Sequence, residues 1–188
     1  MDLISALRAY RPWNPQEVRD TAEFLRRLES GEDLFHRENT AAHLTSSAWV
    51  VSPDRTQILM AYHNLYDSWA WLGGHADGEQ DLLAVALREV REESGVTARP
   101  VSDQIFSVEI LPVSGHEKRG EYVSSHLHMN VTFLLEADPA APVRSKPDEN
   151  SRVAWFALQD ALAASSEPWM RERIYQKLNE KLRESSNF

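Results

Sequence analysis

Three glutamates near the end of one predicted helix are the residues of this 188-residue chain best suited to chemistry. On a helix over residues 81–94, with about 100° between neighbours, Glu89, Glu92 and Glu93 share one arc. Like charges four positions apart repel, and acids in a last turn also face the negative end of the helix dipole. A divalent ion such as Mg²⁺, which prefers oxygen ligands, would relieve this arrangement. A solvated acidic face is the ordinary alternative.

The elements around these acids decide where they lie in the fold. One apolar arc of the helix predicts its buried face, and this arc comprises Leu83, Ala86, Leu87 and Val90. Gly95 is a natural stop for the helix. Before it, a tryptophan-rich strand over residues 69–72 runs into Gly73 and Gly74. The pattern therefore predicts a strand, a glycine turn and a helix that carries the acids.

Further strands and helices flank this motif. Residues 47–51 and 57–62 predict a hairpin, because Ser52-Pro53-Asp54 between them is typical of a turn. Other strands are expected over residues 105–113, 124–135 and 153–156, followed by helices to the C-terminus.

An N-terminal helix is predicted to begin at Asn14. Asn14 can cap it, Pro15 suits its first position, and Glu17 has the spacing of a capping box. The apolar stripe expected to be buried comprises Val18, Ala22, Leu25 and Leu28.

Composition excludes several classes of function. A formal charge of −9 argues against sequence-independent binding of duplex nucleic acid, which needs many basic side chains. The absence of cysteine excludes zinc-thiolate sites, disulfides and cysteine nucleophiles. The length and the 42% hydrophobic content indicate one domain. Since no leader pattern precedes Trp13 and no stretch is long enough to span a bilayer, we expect a cytoplasmic protein without a membrane partner.

The stretch from Gly74 to Val96 reads GHADGEQDLLAVALREVREESGV. It resembles the signature of the Nudix hydrolase family, in which a Gly, five residues, a Glu and seven residues precede Arg-Glu-aliphatic-x-Glu-Glu-x-Gly-aliphatic. Two positions differ, with Gln80 in place of the first Glu and Leu72 in place of a frequent Pro. A neutral amide cannot balance a cation as a carboxylate does, although Glu79 could partly substitute for the missing acid.

This resemblance implies a fold and a division of the chain. The fold expected is an α/β/α sandwich around a mixed β-sheet, with the motif helix packed through Leu83, Leu87 and Val90. Residues 1–38 would form an N-terminal helical extension, and residues 39–188 would form the Nudix domain together with the C-terminal helices.

The resemblance also implies roles for the motif residues. Glu92 and Glu93 correspond to the core metal ligands, and Glu89 to a ligand or catalytic base. The backbone carbonyl of Gly73 would join them, and Arg88 would orient acids of the motif. The implied cofactor is Mg²⁺ or Mn²⁺. Many members add an acid from a later loop; Glu121 is preferred here, with Glu117 and Glu149 as alternatives.

The function implied is Mg²⁺-dependent cleavage of a diphosphate linkage in a nucleoside diphosphate derivative. Pro112 lies where ADP-ribose-cleaving members carry a proline, which favours ADP-ribose or a nucleotide sugar. Residues that could bind this small phosphorylated molecule are Tyr62, His63, Trp69, His126 and His128. For each of them, an ordinary role in the core or on an exposed strand is the alternative interpretation.

Other functions stay open beside this one. The main alternative is a catalytically weakened Nudix domain that binds a nucleotide as a sensor. Isopentenyl diphosphate isomerases share the fold but use an active-site cysteine, which this chain lacks. Sequence does not reveal the oligomeric state, and a homodimer is compatible with it.

Overall fold

The sheet is built around one long buried strand, β1, in a computed structural model that describes residues 2–118 and 120–185. In chain order the strands are β1 (Ala42–Val51), β2 (Gln57–His63), β3 (Ser68–Ala70), β4 (Leu72–His75), β5 (Arg99–Pro100), β6 (Ser107–Val113), β7 (His116–Lys118), β8 (Glu121–Val123), β9 (His126–Glu136) and β10 (Asn150–Ala157). The helices are α1 (Leu3–Ala9), α2 (Pro15–Glu29), α3 (Leu82–Ser94), α4 (Leu158–Ala164) and α5 (Gln176–Ser185), and a π-helical segment, Met170–Tyr175, leads into α5. No helix in these described ranges is both long and apolar enough to cross a membrane.

The strands form a mixed sheet. β1 pairs in parallel with β9, from Ala42 opposite Leu127 to Val51 opposite Glu136. The main order is β10-β2-β1-β9-β5, with β3 paired to β2, β4 to β1 and β6 to β9 in antiparallel fashion. The predicted hairpin is confirmed as β1 and β2. β1 begins earlier than predicted because its first residues pair with β9 and β4.

Helices cover both faces of the sheet, which confirms the predicted α/β/α sandwich. On the first face, called here the motif face, α3 packs over Leu44 and Ala48 of β1. On the opposite face, called here the C-terminal face, Trp49 of β1 stacks on Tyr175 with ring centroids 5.3 Å apart. The tryptophan-rich strand predicted over residues 69–72 is two short strands, because β3 pairs with β2 whereas β4 pairs with β1.

The buried face of α3 is shifted from the predicted arc. Leu83 and Leu87 are only partly buried and pack at the edge of the core. The side chains that α3 buries are Leu82, Val85, Ala86, Val90, Glu93 and Ser94. The inward face thus includes an acid of the motif, which an arc chosen from apolar residues alone would leave outside.

The N-terminal helix begins as predicted but buries a different face. The Asn14 side chain accepts a hydrogen bond from the Glu17 backbone N–H at 2.9 Å. Val18 is 52% exposed and Ala22 is also exposed, so the predicted stripe is wrong at both positions. The face of α2 that is buried instead comprises Glu17, Thr21 and Phe24. A buried Glu17 requires partners, and the C-terminal helix provides them.

Glu17 and Glu109 share buried lysines in a cluster that joins α2, β6 and α5. The Glu17 carboxylate lies 2.9 Å from Lys181 Nζ and 3.1 Å from Lys177 Nζ, and Glu109 lies 3.0 Å from Lys177 Nζ. Burial alone would raise the pKa of Glu17, but the two lysines and the Tyr10 hydroxyl more than offset it and lower the pKa to about 2. The charged carboxylate is therefore the form that the fold stabilises.

The N-terminal helices share a core with the sheet. Leu7 of α1 and Phe24 of α2 are buried in the same apolar cluster as Leu44 and Val90. The boundary proposed at residue 39 stays a prediction, and the packing makes residues 2–38 part of the same folded unit.

We predict that Lys177→Met lowers the free energy of unfolding by about 3 to 5 kcal/mol, because it leaves two buried carboxylates with too little compensating charge. Urea melts at neutral pH measure the loss. Arg171→Met is the control, since its exposed pair with Glu172 should contribute less than about 1 kcal/mol. Equal melts for both variants would mean that the buried cluster does not stabilise the fold.

Candidate functional site

Capping at both ends of α3 places the three motif acids. The Asp81 carboxylate accepts a hydrogen bond from the Ala84 N–H at 3.0 Å and so caps the first turn. Gly95 ends the helix with a φ of 73°, a conformation that favours glycine. The last two turns therefore carry Glu89, Glu92 and Glu93 against β4 and β1.

Glu93 is the buried member of this acid cluster. Its side chain is only 5% exposed, and its carboxylate accepts a hydrogen bond from the Gly73 N–H at 3.0 Å. Burial raises the pKa of Glu93 to about 8, and the charges of Glu89 and Glu149 add to the rise. An anion at this position needs a cation beside it.

Glu89 lies against the glycine pair of β4. A Cβ built on Gly74 would be 2.5 Å from the Glu89 carboxyl carbon and 2.8 Å from both of its oxygens. Only glycine leaves room for the carboxylate there. Burial raises the pKa of Glu89, while the guanidinium of Arg88, 3.0 Å from one oxygen, acts in the opposite direction.

Glu92 forms the exposed side of the cluster. Its carboxylate lies 3.4 Å from Lys146 Nζ and 3.8 Å from Arg88 Nε. Lys146 also pairs with Glu149 at 2.9 Å. Arg88 and Lys146 thus supply positive charge at the solvent side, whereas Glu93 lies inside.

The chemistry of these donors suits a hard divalent ion. Three carboxylates and the nearby backbone of Gly73 offer oxygen ligands, which Mg²⁺ and Mn²⁺ prefer. The raised pKa of Glu93 is the physical sign of an acid that a positive ion would stabilise. An ion held there would supply the positive charge that a diphosphate needs.

A comparison with protein families identifies this arrangement. The family model of the NUDIX domain matches residues 42–178, from the first residue of β1 into α5. The chain belongs to the NUDIX domain family. This membership confirms the predicted fold and the prediction of a Nudix-type hydrolase.

Solved Nudix structures share the fold at low sequence identity. An Ap4A hydrolase from C. elegans has a TM-score of 0.54 at 19% identity, over 77% of this chain and 98% of the other. A NUDIX-family hydrolase from Clostridium perfringens has a TM-score of 0.52 at 18% identity, over 76% and 97%. The E. coli dihydroneopterin triphosphate pyrophosphohydrolase has a TM-score of 0.52 at 15% identity, over 71% and 92%. No curated protein matches the chain in sequence.

Three of the residues predicted to bind substrate lie on the β2–β3 hairpin. Tyr62 and Trp69 meet edge to face with ring centroids 5.5 Å apart, and the Arg152 guanidinium lies 4.2 Å from the centre of the Tyr62 ring. His63 follows Tyr62 in β2 and lies opposite Asn150 of β10. Asn150 in turn donates a hydrogen bond to the Glu93 carbonyl, which connects the hairpin region to α3.

The other two predicted substrate residues lie at the beginning of β9. The Nε2 atoms of His126 and His128 are 3.2 Å apart, and both rings contact His43. Burial and the neighbouring imidazoles lower the pKa of His128 to about 2. The five predicted substrate residues therefore divide between two regions of the sheet, and their role in binding stays a prediction.

The later acid preferred from sequence lies on a separate hairpin. Glu121 is exposed in β8, opposite Lys118 of β7, and Glu117 lies on the same ribbon. Glu149 is the alternative whose charge acts on Glu93 and whose partner Lys146 also contacts Glu92. The assignment of Glu121 as a metal ligand stays a prediction, while the contacts associate Glu149 with the motif.

Sequence reasoning missed Lys146 and Asn150. Both lie at the end of a segment with several prolines, predicted only as a loop, and they reach α3 through long-range contacts. Neither has a local pattern that marks it. In the structure, Asn150 is buried at the beginning of β10. Its side chain donates a hydrogen bond to the Glu93 carbonyl and so holds the end of α3.

We predict that Gly74→Ala lowers kcat/KM by about 10- to 100-fold or more, because the new methyl group displaces the Glu89 carboxylate. Gly31→Ala is the control: its Cβ would meet nothing within 4 Å, so only backbone strain at a φ of 80° is added. Retained activity in Gly74→Ala would show that the position of Glu89 is not critical.

We predict that binding of Mg²⁺ releases a proton below about pH 8, because the ion must ionise Glu93. Apparent affinity should therefore rise with pH and level off above about 8. The stability of the ion-free protein should change in the opposite direction. The pKa of Glu93 in the folded state exceeds its ordinary value of 4.5, so its contribution to stability is fully present below pH 4.5 and is lost as the pH rises through about 8.

Calorimetric titration with Mg²⁺ near pH 7, in two buffers of different ionisation enthalpy, measures the released proton. Glu93→Gln should abolish the release. If the wild type released none, Glu93 would already be ionised or would not meet the metal.

Proposed function

We propose that this chain hydrolyses a diphosphate linkage in a nucleoside diphosphate derivative, with Mg²⁺ or Mn²⁺ held by the acids of α3. The observation that carries the proposal is the buried Glu93 carboxylate, which lies on the Gly73 N–H with a pKa raised to about 8. The partly exposed Lys146 acts to lower the pKa of Glu93, but burial and the neighbouring acids outweigh it.

The chain's own residues divide the work of the reaction. Glu92, Glu93 and the Gly73 carbonyl would hold the ion, which supplies positive charge to the diphosphate and lowers the pKa of a bound water. Glu89 would accept the proton of the attacking water, since its pKa is raised by burial. Arg88, 3.0 Å from Glu89, would keep that carboxylate in place. Glu149 is our preferred later acid, with Glu121 as the alternative.

The proposed substrate class follows from charge and from the β2–β3 hairpin. A net charge of −9 disfavours long polyanions, whereas a small diphosphate can be neutralised by one or two ions. Tyr62 and Trp69 offer aromatic surface for a base, and Arg152 stacks beside them. These groups support a nucleoside-containing substrate, and ADP-ribose or a nucleotide sugar is our first choice.

Gln80 bears on whether the chain cuts its ligand or only binds it. Gln80 is exposed just before the N-cap of α3, and Glu79 accepts a hydrogen bond from the Asp81 N–H at 2.9 Å. The Glu79 carboxylate thus holds the turn before α3, and a partial substitution for the missing acid stays a prediction. Since Glu89, Glu92 and Glu93 are all present, we favour hydrolysis over the sensor function.

We predict that Glu93→Gln removes almost all activity, whereas Gln80→Glu changes kcat/KM by no more than about 100-fold, the range for residues outside the first coordination shell. The assay measures product release with Mg²⁺ from ADP-ribose, nucleotide sugars, dinucleoside polyphosphates and nucleoside triphosphates. Addition of a chelator should abolish turnover.

Three outcomes of this assay would change the assignment. Near-native activity of Glu93→Gln would move the metal away from α3. Metal-independent turnover would remove all three acids from the mechanism. Activity only in Gln80→Glu, with ligand-dependent thermal stabilisation of the wild type, would make the natural protein a nucleotide sensor.

A further inference from the structure

Five of the chain's seven histidines meet at one end of the sheet. They are His43 of β1, His75 of β4, His116 of β7, and His126 and His128 of β9. One ring nitrogen each from His43, His75 and His128 lies within 4.8 Å of the other two. We call these five residues the histidine cluster.

Strand pairing brings the histidine cluster together from distant parts of the chain. His43 lies opposite His128 in the parallel β1–β9 pair, and His75 lies opposite Thr45 in the β1–β4 pair. His126 and His128 are two residues apart on one strand, so the pleat places both on the same face. The positions of His43, His75, His126 and His128 therefore depend on the central sheet, whereas His116 lies on the separate β7–β8 ribbon.

Three of the histidines are held through the same ring nitrogen, Nδ1. Nδ1 of His43 lies 3.0 Å from the Asn39 carbonyl, and Nδ1 of His126 lies 2.8 Å from the Ser124 carbonyl. His116 makes a similar bond at 3.0 Å. Because a carbonyl oxygen only accepts, each Nδ1 carries the proton and each Nε2 keeps its lone pair. Metal-binding histidines are commonly oriented by this type of bond.

Nε2 is therefore the nitrogen of His43 and His126 that could bind an ion. Nε2 of His43 is buried and has no hydrogen-bond partner among the described residues. Nε2 of His126 accepts a hydrogen bond from Nε2–H of His128 at 3.2 Å, and an ion bound there would take the place of that proton. Two nitrogens bound tetrahedrally to Zn²⁺ lie about 3.4 Å from each other. The longest separation in the triad, 4.8 Å, would need to shorten by about 1.4 Å.

The cluster and the motif acids occupy opposite faces of the sheet. A Cβ on Gly74 would meet Glu89, so this position of β4 points to the motif face. His75, the next residue, points to the C-terminal face because side chains alternate along a strand. The two groups also differ in chemistry, since the cluster offers imidazole nitrogens and α3 offers carboxylate oxygens.

We propose that His43, His75 and His128, with His126 as a fourth donor, form a transition-metal site that binds Zn²⁺ and is separate from the carboxylate site. Imidazole nitrogens favour Zn²⁺, Co²⁺, Ni²⁺ and Cu²⁺, whereas Mg²⁺ prefers oxygen. The site does not depend on the proposed hydrolase function, because it uses none of the acids of α3; His126 and His128, predicted above to bind substrate, would bind the ion instead.

The test is binding of Co²⁺, a visible substitute for Zn²⁺, to chelator-treated full-length protein in the presence of excess Mg²⁺. We expect one equivalent of Co²⁺ to produce the strong visible absorption of a tetrahedral nitrogen site, and one equivalent of Zn²⁺ to remove it. His43→Gln should lower Zn²⁺ affinity by more than about 100-fold, since loss of even an outer-shell partner costs 10- to 100-fold. His75→Gln, at a less buried position, provides a second variant if His43→Gln does not fold.

Two matched variants locate the ion. His36→Gln replaces an exposed histidine paired with Asp33 outside the cluster and should keep the absorption. Glu93→Gln should also keep it, because the acids of α3 are not its ligands. The proposal is overturned if the wild type shows no such absorption in Mg²⁺, if both histidine variants keep it, or if Glu93→Gln alone loses it.

Discussion

A buried carboxylate on a backbone amide is the interaction around which the site is arranged. Glu93 reaches the Gly73 N–H only because α3 ends beside β4, and Glu89 fits only because Gly74 has no side chain. Both glycines are held by pairing with β1, whose position β9 fixes in turn. The central sheet, the glycine pair and the helix end thus place an acid where water is largely excluded, so that its ionised form needs a cation beside it.

The same residue type behaves in opposite ways at two buried places in the molecule. Glu17 is fully buried, yet Lys177 and Lys181 compensate it and its pKa is lowered to about 2. Glu93 is almost as buried, but its neighbours include further acids and its pKa is raised to about 8. The first arrangement stabilises a charged fold without any ligand. The second arrangement disfavours the ionised form of Glu93 unless a positive ion binds beside it. This property distinguishes a binding site from a structural ion pair.

Local patterns predicted the elements that local interactions define. The boundaries of α3 follow from Asp81 and Gly95, and the family signature identifies the acids within it. The start of α2 follows from Asn14 in the same way. The predictions failed where contacts between distant residues decide which face of a helix is buried. Val18 is exposed because the opposite side of α2, which carries Glu17, is buried against the lysines of α5. Lys146, Asn150 and the histidine cluster also depend on contacts between separate segments, which periodicity along one segment does not contain.

Alternation along β4 explains how two chemically different groups can lie so close in sequence. Gly74 faces α3 and its carboxylates, while His75 faces away and lies among imidazoles. A shift of the β1–β4 register by one residue would exchange these environments and place a histidine side chain in the space that Glu89 occupies. A side chain at this position would displace the Glu89 carboxylate, so the place of that acid depends on the register of β4. The same register keeps the acid cluster on the motif face and His75 on the opposite face.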